Sequence, residues 1–203
     1  MIGIMASFEN GQFYPHVHAR MTLLRKVLFP IAIGNVLLIV RSYDSFFESA
    51  FRKRAEVNAL PEFSDVAKLQ VEFRGGWPTV VDCVLDALRP KKLIVAAYGR
   101  QRDDLMLLNQ LCPTLSVADM HRPEKWANTS FSDSALFECQ KRLRMDGELS
   151  RDASRAIRDE FEGTPSDRPF AKFLPEQAAV LKDRYQEDLD VLRRRADITL
   201  IDA

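Results

Sequence analysis

The apolar positions change period several times along the chain, and each change predicts an element. Residues 2–6 form a short apolar run that predicts a buried strand at the very start. Residues 17–29 carry Met21, Leu24 and Leu28 on one face of a helix, which Pro30 and Gly34 end. Residues 35–41, Asn-Val-Leu-Leu-Ile-Val-Arg, are the clearest strand, a continuous branched run of the kind found in strands covered on both faces. A helix follows, starting at Ser42 or at Ser45, because Ser45 and Glu48 have capping-box spacing; Phe46, Phe47, Ala50 and Phe51 can face a core. Arg74-Gly-Gly-Trp-Pro78 reads as a loop or turn. Residues 80–88 form a helix with Val81, Val84 and Leu88 in register. Residues 91–98 form a second strand ended by Gly99, and 105–111 a short helix stopped before Pro113.

The rest of the chain is helical in pattern. Ser132 can cap a helix to Met145 with Leu136, Cys139 and Leu143 as its stripe. Ile157 and Phe161 mark another helix, with Gly163 at a C′ position. Residues 165–175 read as a loop. Pro175 opens a helix with Leu181, Tyr185, Leu189 and Leu192 at helical spacing, and residues 198–201 suit a last strand. There is no internal repeat. Strand, helix, strand and helix between 35 and 111 predict an α/β fold, a parallel sheet flanked by helices, with a helical C-terminal lobe. The expected division is an α/β core over 1–118 and a helical lobe of the same domain over 119–203.

Composition narrows the function classes. Twenty-nine basic and 29 acidic residues in 203 give zero net charge, and the pI is near 6.8. That balance argues against a dedicated nucleic-acid or membrane partner. The three cysteines, Cys83, Cys112 and Cys139, make neither a disulfide framework nor a zinc spacing, and each is expected as a small buried side chain. The longest apolar stretch, 27–40, is broken by Pro30, Gly34 and Asn35, and there is no secretory pattern at the start, so a cytoplasmic location is expected.

Ligands of parallel α/β sheets sit where strands end, which directs attention to residues 7–11, 41–49 and 98–104. Arg41 ends a strand and Ser49 lies in the following helix. An arginine fork beside a helix N-terminus can hold a phosphate. Arg41 can equally pair with Asp44 or Glu48 at the surface. Glu9, placed after a strand, can take a proton or stand as a solvated loop residue. His16 and His18 offer imidazoles near neutral pKa, yet they point to different helix faces and read as surface histidines. His121 stands alone and reads as structural. Arg193-Arg-Arg195, preceded by Glu187, Asp188 and Asp190, reads as a solvated helix end. Phe46, Phe47 and Trp77 read as core.

The segment LIVRSYDSFFESAF, with its strand-Arg-x7-Ser-helix spacing, resembles the 3′-phosphate-binding motif of the sulfotransferases. Ser7-Phe8-Glu9-Asn10 resembles the S-x-E-N segment of bacterial sulfotransferase-like proteins, and KKLIVAAYG a later strand of that family. The resemblance implies that Arg41 and Ser49 bind the 3′-phosphate of 3′-phosphoadenosine 5′-phosphosulfate. It implies transfer of the sulfuryl group to a hydroxyl acceptor of the carbohydrate kind, with Glu9 as base and no metal. Two departures accompany it. Gly99 stands where the family has glutamate. None of the eight glycines belongs to a Gly-rich Lys-Ser/Thr donor loop, so the chain is expected to lack the family's first strand and loop. Three expectations follow: an active sulfotransferase with an upstream segment, a non-catalytic relative that binds a nucleotide or a protein, or an unrelated interaction module.

Overall fold

A computed structural model describes residues 8–9, 11–99, 104–116, 120 and 130–201. In chain order the elements are β1 (Phe8–Glu9), β2 (Gln12–Phe13), α1 (Val17–Val27), β3 (Asn35–Val40), α2 (Tyr43–Ala55), α3 (Phe63–Val71) and α4 (Trp77–Leu88). They continue with β4 (Lys92–Ala97), α5 (Asp104–Leu111), α6 (Asp133–Asp146), α7 (Arg151–Glu160), α8 (Pro175–Arg193) and β5 (Thr199–Ile201). The fold is α/β, with a small parallel sheet of three strands and a helical C-terminal region. The strand expected over 2–6 lies outside the described residues.

The chain divides into two compact units, and sequence order is not respected by either. The first comprises Met1–Tyr43, Phe73–Glu124 and Leu181–Ala203, and the second Asp44–Glu72 and Lys125–Val180. The first holds the sheet, in the order β3-β4-β5. The central strand β4 buries Leu93, Ile94, Val95 and Ala96 completely, which is why its sequence is an unbroken apolar run without alternation. β3 and β4 pair in parallel from Asn35↔Lys92 to Val40↔Ala97, and β5 adds Leu200 opposite Val95. α1 packs on α4, burying Val17 and Met21 on one side and Val80, Val81, Val84 and Leu88 on the other. The hairpin β1–β2 was not foreseen. It turns at Gly11, whose φ of +72° favours glycine, and its second strand meets Arg74, with Phe13 N–H donating to the Arg74 carbonyl at 2.9 Å.

The second unit is built from the run of α2 beyond Tyr43, α3, α6, α7 and the first turns of α8. Ala55, Phe131, Ala135, Leu136, Cys139 and Ile157 form its core, with Leu60, Leu149, Phe161 and Phe170 packed against it. A fully buried Gln140 finishes α2: its Nε2 donates to the carbonyls of Ala55 and Asn58, each at 2.7 Å. Its Oε1 accepts from Leu60 N–H at 2.8 Å. The Ala55 carbonyl is a helix-end acceptor that would otherwise be orphaned, and the Asn58 carbonyl lies in the turn beyond it.

Several local expectations change. Of the two starts expected for α2 the structure takes the one at Ser42, so Ser45 and Glu48 are not its capping box. Glu48 instead accepts from Phe173 N–H at 3.1 Å and Lys172 Nζ at 3.3 Å. Arg74–Pro78 is a shorter turn than expected, because Trp77 already begins α4 and Pro78 fits its first turn. α7 ends at Glu160 with Phe161 as its cap, and Gly163, at φ +73°, lies beyond the C′ position. Cys139 is buried, Cys83 is half-buried and Cys112, just past the end of α5, is exposed, so the expectation of three buried thiols is met fully only at Cys139.

Ser132 and Ser150 cap α6 and α7 by accepting from the N–H groups of Ala135 and Ala153, each at 3.1 Å. Ser132 also donates to the Phe161 carbonyl at 3.1 Å, tying the end of α7 to the start of α6. Ser132→Ala is therefore expected to cost about 1–2 kcal/mol in urea denaturation, and Ser150→Ala about 0.5–1 kcal/mol. The reverse order would remove the tie between the two helices as a stabilising feature.

Candidate functional site

β3 and β4 end in register, so Arg41 and Tyr98 leave the sheet side by side at its carboxyl edge. Parallel α/β sheets place ligands at this edge. Three bonds hold the last residues of β3. Tyr98 N–H donates to the Val40 carbonyl at 2.7 Å, and the Tyr185 hydroxyl donates to the same oxygen at 3.4 Å. The Trp77 indole N–H donates to the Arg41 carbonyl at 2.8 Å. The Arg41 guanidinium lies 5.1 Å from the centroid of the Tyr98 ring, within cation–π range. Tyr98 remains 48% exposed, which leaves ring surface open at the edge of the sheet. α2 begins two residues after Arg41, and a helix start presents N–H groups and the positive end of the dipole. A guanidinium fork, a stacked aromatic ring and a helix N-terminus together suit an anionic ligand.

A buried polar network stands behind this edge in the same unit. The Tyr43 hydroxyl donates a short hydrogen bond to Asp188 Oδ2. Trp77 N–H, the first N–H of α4, donates to the Tyr43 oxygen at 2.7 Å and to Asp188 Oδ2 at 3.2 Å. A carboxylate at a helix N-terminus is favoured by the dipole. Burial pushes the Asp188 carboxyl above its ordinary range, against the pull of the Tyr43 hydroxyl, the Trp77 N–H and Arg184. Burial and the neighbouring Asp188 charge push the Tyr43 phenol far up, so it stays protonated and acts as a donor. One turn before Asp188 on α8, Arg184 donates to the carbonyls of Phe73 at 2.6 Å and Gly75 at 2.7 Å. Its guanidinium lies 3.7 Å from the Phe73 ring centroid. Phe13 meets the Tyr43 ring edge-on, Phe73 lies tilted against it and Trp77 stacks on it; Tyr14 packs on Trp77, and its phenol is raised to about 12 by burial.

Each expected site residue has a definite position. Arg41 is half-buried at the end of β3 in the first unit, and Ser49 is half-buried nearly two turns into α2, in the second. Glu9 pairs with Gln12 in the β1–β2 hairpin, and its side chain lies outside the described residues. His16 and His18 are exposed, with His18 Nε2 3.0 Å from Asp86 of α4. His121 lies outside the described residues. Asp188 departs most from expectation: it reads as one of three solvated acids before a basic run, and instead it is the acceptor of the buried network. Tyr98 stands in the expected strand-end segment 98–104, whereas Trp77, Tyr185 and Asp188 are neighbours of the sheet edge that the sequence does not announce. The signal that existed for the last two is helical spacing, since Arg184, Tyr185 and Asp188 fall within one turn of α8. Among the described residues no group of three His, Cys, Asp or Glu side chains converges as a metal site would.

No family model matches the chain, and no curated protein or solved structure matches it either.

Proposed function

We propose that this chain is a sulfotransferase-like protein that binds a 3′-phosphoadenosine nucleotide at the carboxyl edge of the β3–β4–β5 sheet. The observation that carries this reading is the strand–Arg41–helix arrangement. Arg41 leaves β3 with its carbonyl held by Trp77 and its guanidinium against Tyr98, immediately before the N-terminus of α2. In this reading Arg41 binds the 3′-phosphate by two parallel N–H···O bonds, and Ser49, farther along α2, supplies a hydroxyl. The reaction transfers the sulfuryl group of 3′-phosphoadenosine 5′-phosphosulfate to a hydroxyl, with carbohydrates as the acceptor class. The acceptor oxygen forms the new S–O bond as the bond from sulfur to the 5′-phosphate oxygen breaks. Glu9 takes the acceptor proton, and adenosine 3′,5′-bisphosphate leaves. Positioning and positive charge supply the catalysis of such a transfer.

Calorimetric titration of the full chain with adenosine 3′,5′-bisphosphate tests the reading. Saturable binding is expected, and Arg41→Ala is expected to weaken it about tenfold, the loss of one charge-assisted pair. Absence of binding at millimolar nucleotide, or binding indifferent to Arg41→Ala, would overturn it. Binding without transfer is a second reading. It is favoured by a specific observation: none of the eight glycines stands in a G-x-x-x-x-G-K-[ST] loop of the kind that cradles a 5′-phosphosulfate. Wild-type protein that binds the bisphosphate but leaves the phosphosulfate donor intact with every hydroxyl acceptor supplied would establish that second reading.

A further inference from the structure

The zero net charge of the chain conceals a local imbalance. From residue 10 to residue 43 there is no Asp or Glu, while Arg20, Arg25, Lys26 and Arg41 all fall in that stretch. α1 lies within it, and this helix is apolar on two faces. Val17 and Met21 point inward and are buried. On the outward side Leu23 is 62% exposed and Val27 is 72% exposed, and the turn that follows adds Phe29 at 75% and Ile31 at 63%. Leu23 and Val27 are one turn apart on the same stripe, and Arg20 and Lys26 flank them at helical spacing. Arg25 Nη1 donates to the Ile31 carbonyl at 3.0 Å, which folds the turn back onto the last turn of the helix. The four apolar side chains, with Arg25 and Lys26, therefore cluster at the C-terminal end of α1 and the turn after it, and Arg20 lies about one turn before Leu23.

We propose that this end of α1 docks reversibly on an anionic lipid bilayer surface, with Leu23, Val27, Phe29 and Ile31 entering the headgroup boundary and Arg20 and Lys26 against the lipid phosphates. Basic helices with exposed Leu and Phe lie in such interfaces. Charge decides between this occupant and a second copy of the chain. A two-fold interface through this patch would set Arg20 and Lys26 against their own counterparts. Geometry decides against a helix-binding groove on another protein, which reads apolar anchors along one helical stripe. Here two of the four anchors lie past the end of the helix. A fluid interface accepts them without matching their shape. Asp86 of α4 meets His18 nearer the start of the helix, and the apolar end lies beyond that pair. No helix among the described residues is long and apolar enough to cross a membrane, so the contact proposed is peripheral.

Co-sedimentation of the full chain with vesicles tests this, independently of any nucleotide. Wild-type protein is expected to partition onto mixed phosphatidylcholine–phosphatidylglycerol vesicles, less onto phosphatidylcholine alone, and less again at high salt. Replacing both cations, R20Q with K26Q, is expected to lower the partition coefficient about 30-fold. The pair V27S and F29S is expected to abolish binding to both vesicle types, with an unchanged melting temperature because both side chains face outward. Failure to bind anionic vesicles would overturn the proposal, as would binding that neither pair of substitutions alters. A dimer in sedimentation equilibrium that V27S with F29S converts to monomer would assign the patch to self-association instead.

Discussion

Asp188→Ala is expected to lower the unfolding free energy by roughly 2–4 kcal/mol, because it strands a buried phenol and weakens the start of a helix. For a chain of this size that corresponds to a fall in Tm of very roughly 4–16 °C. Tyr43 is completely buried, and its hydroxyl donates to Asp188. With alanine at 188 that donor faces a void among aromatic rings. The Trp77 N–H keeps the Tyr43 oxygen as acceptor but loses its second contact and the nearby negative charge. Asp188→Asn separates shape from charge, since its amide oxygen can still accept from Tyr43. The Asp188 carboxyl is raised above its ordinary 3.8 by burial. A raised carboxyl binds its proton more tightly when folded, so the stability it contributes is fully present below about 3.8 and is lost as pH climbs through the shifted value. Plotted against pH, the stability of the wild type relative to Asp188→Asn should fall across that window. A flat difference would mean that burial does not govern this carboxyl.

Asp188 also marks where the sequence stops being informative. β3, β4 and α8 are legible because each buries a periodic or continuous apolar set, and such sets are local properties of the chain. The caps Ser132 and Ser150 are local in the same way, though only Ser132 announces itself before a clear stripe. α3 is not legible, because its buried face is Phe63, Ala67 and Gln70, in which only one residue is large and apolar. The β1–β2 hairpin is hidden by its size, two residues to a strand. The polar network is hidden for another reason. Tyr43 and Asp188 are 145 residues apart in sequence, and Glu187 and Asp190 make Asp188 look like one member of a solvated acidic patch. Nothing in the composition of α8 distinguishes the acid that turns inward. Arg41 was legible as a strand-end cation, but the placing of a ring beside it was not. Tyr98 becomes its neighbour only because β3 and β4 end in register, which is a property of the sheet.

Gly76→Val is expected to destabilise the protein by roughly 3–5 kcal/mol, the sum of overpacking and disrupted hydrogen bonds. The reason is space. The backbone of Gly76 is extended, at φ 162° and ψ −174°, a conformation that other residues adopt freely. A Cβ there would lie 2.6 Å from Asp188 Oδ2 and 3.0 Å from the Tyr43 hydroxyl. A carboxylate on an open surface could swing aside at little cost. This one accepts from Tyr43 and from the N–H of the residue next to Gly76, so moving it breaks the network that starts α4. Arg184 holds the Gly75 carbonyl on the other side of the turn, which restricts retreat of the backbone. Gly76→Ala creates the same Cβ contact with less bulk and suits a double-mutant cycle with Asp188→Ala. Asp188→Ala removes the oxygen with which the new methyl collides, so the double variant should be more stable than the two single losses added together predict, by at least about 1 kcal/mol. Strict additivity in urea denaturation would show that Gly76 is required by something other than the close approach of Asp188. It would also remove the steric argument that joins the Gly75–Gly76 turn, through Tyr43 and Trp77, to the strand end where Arg41 stands.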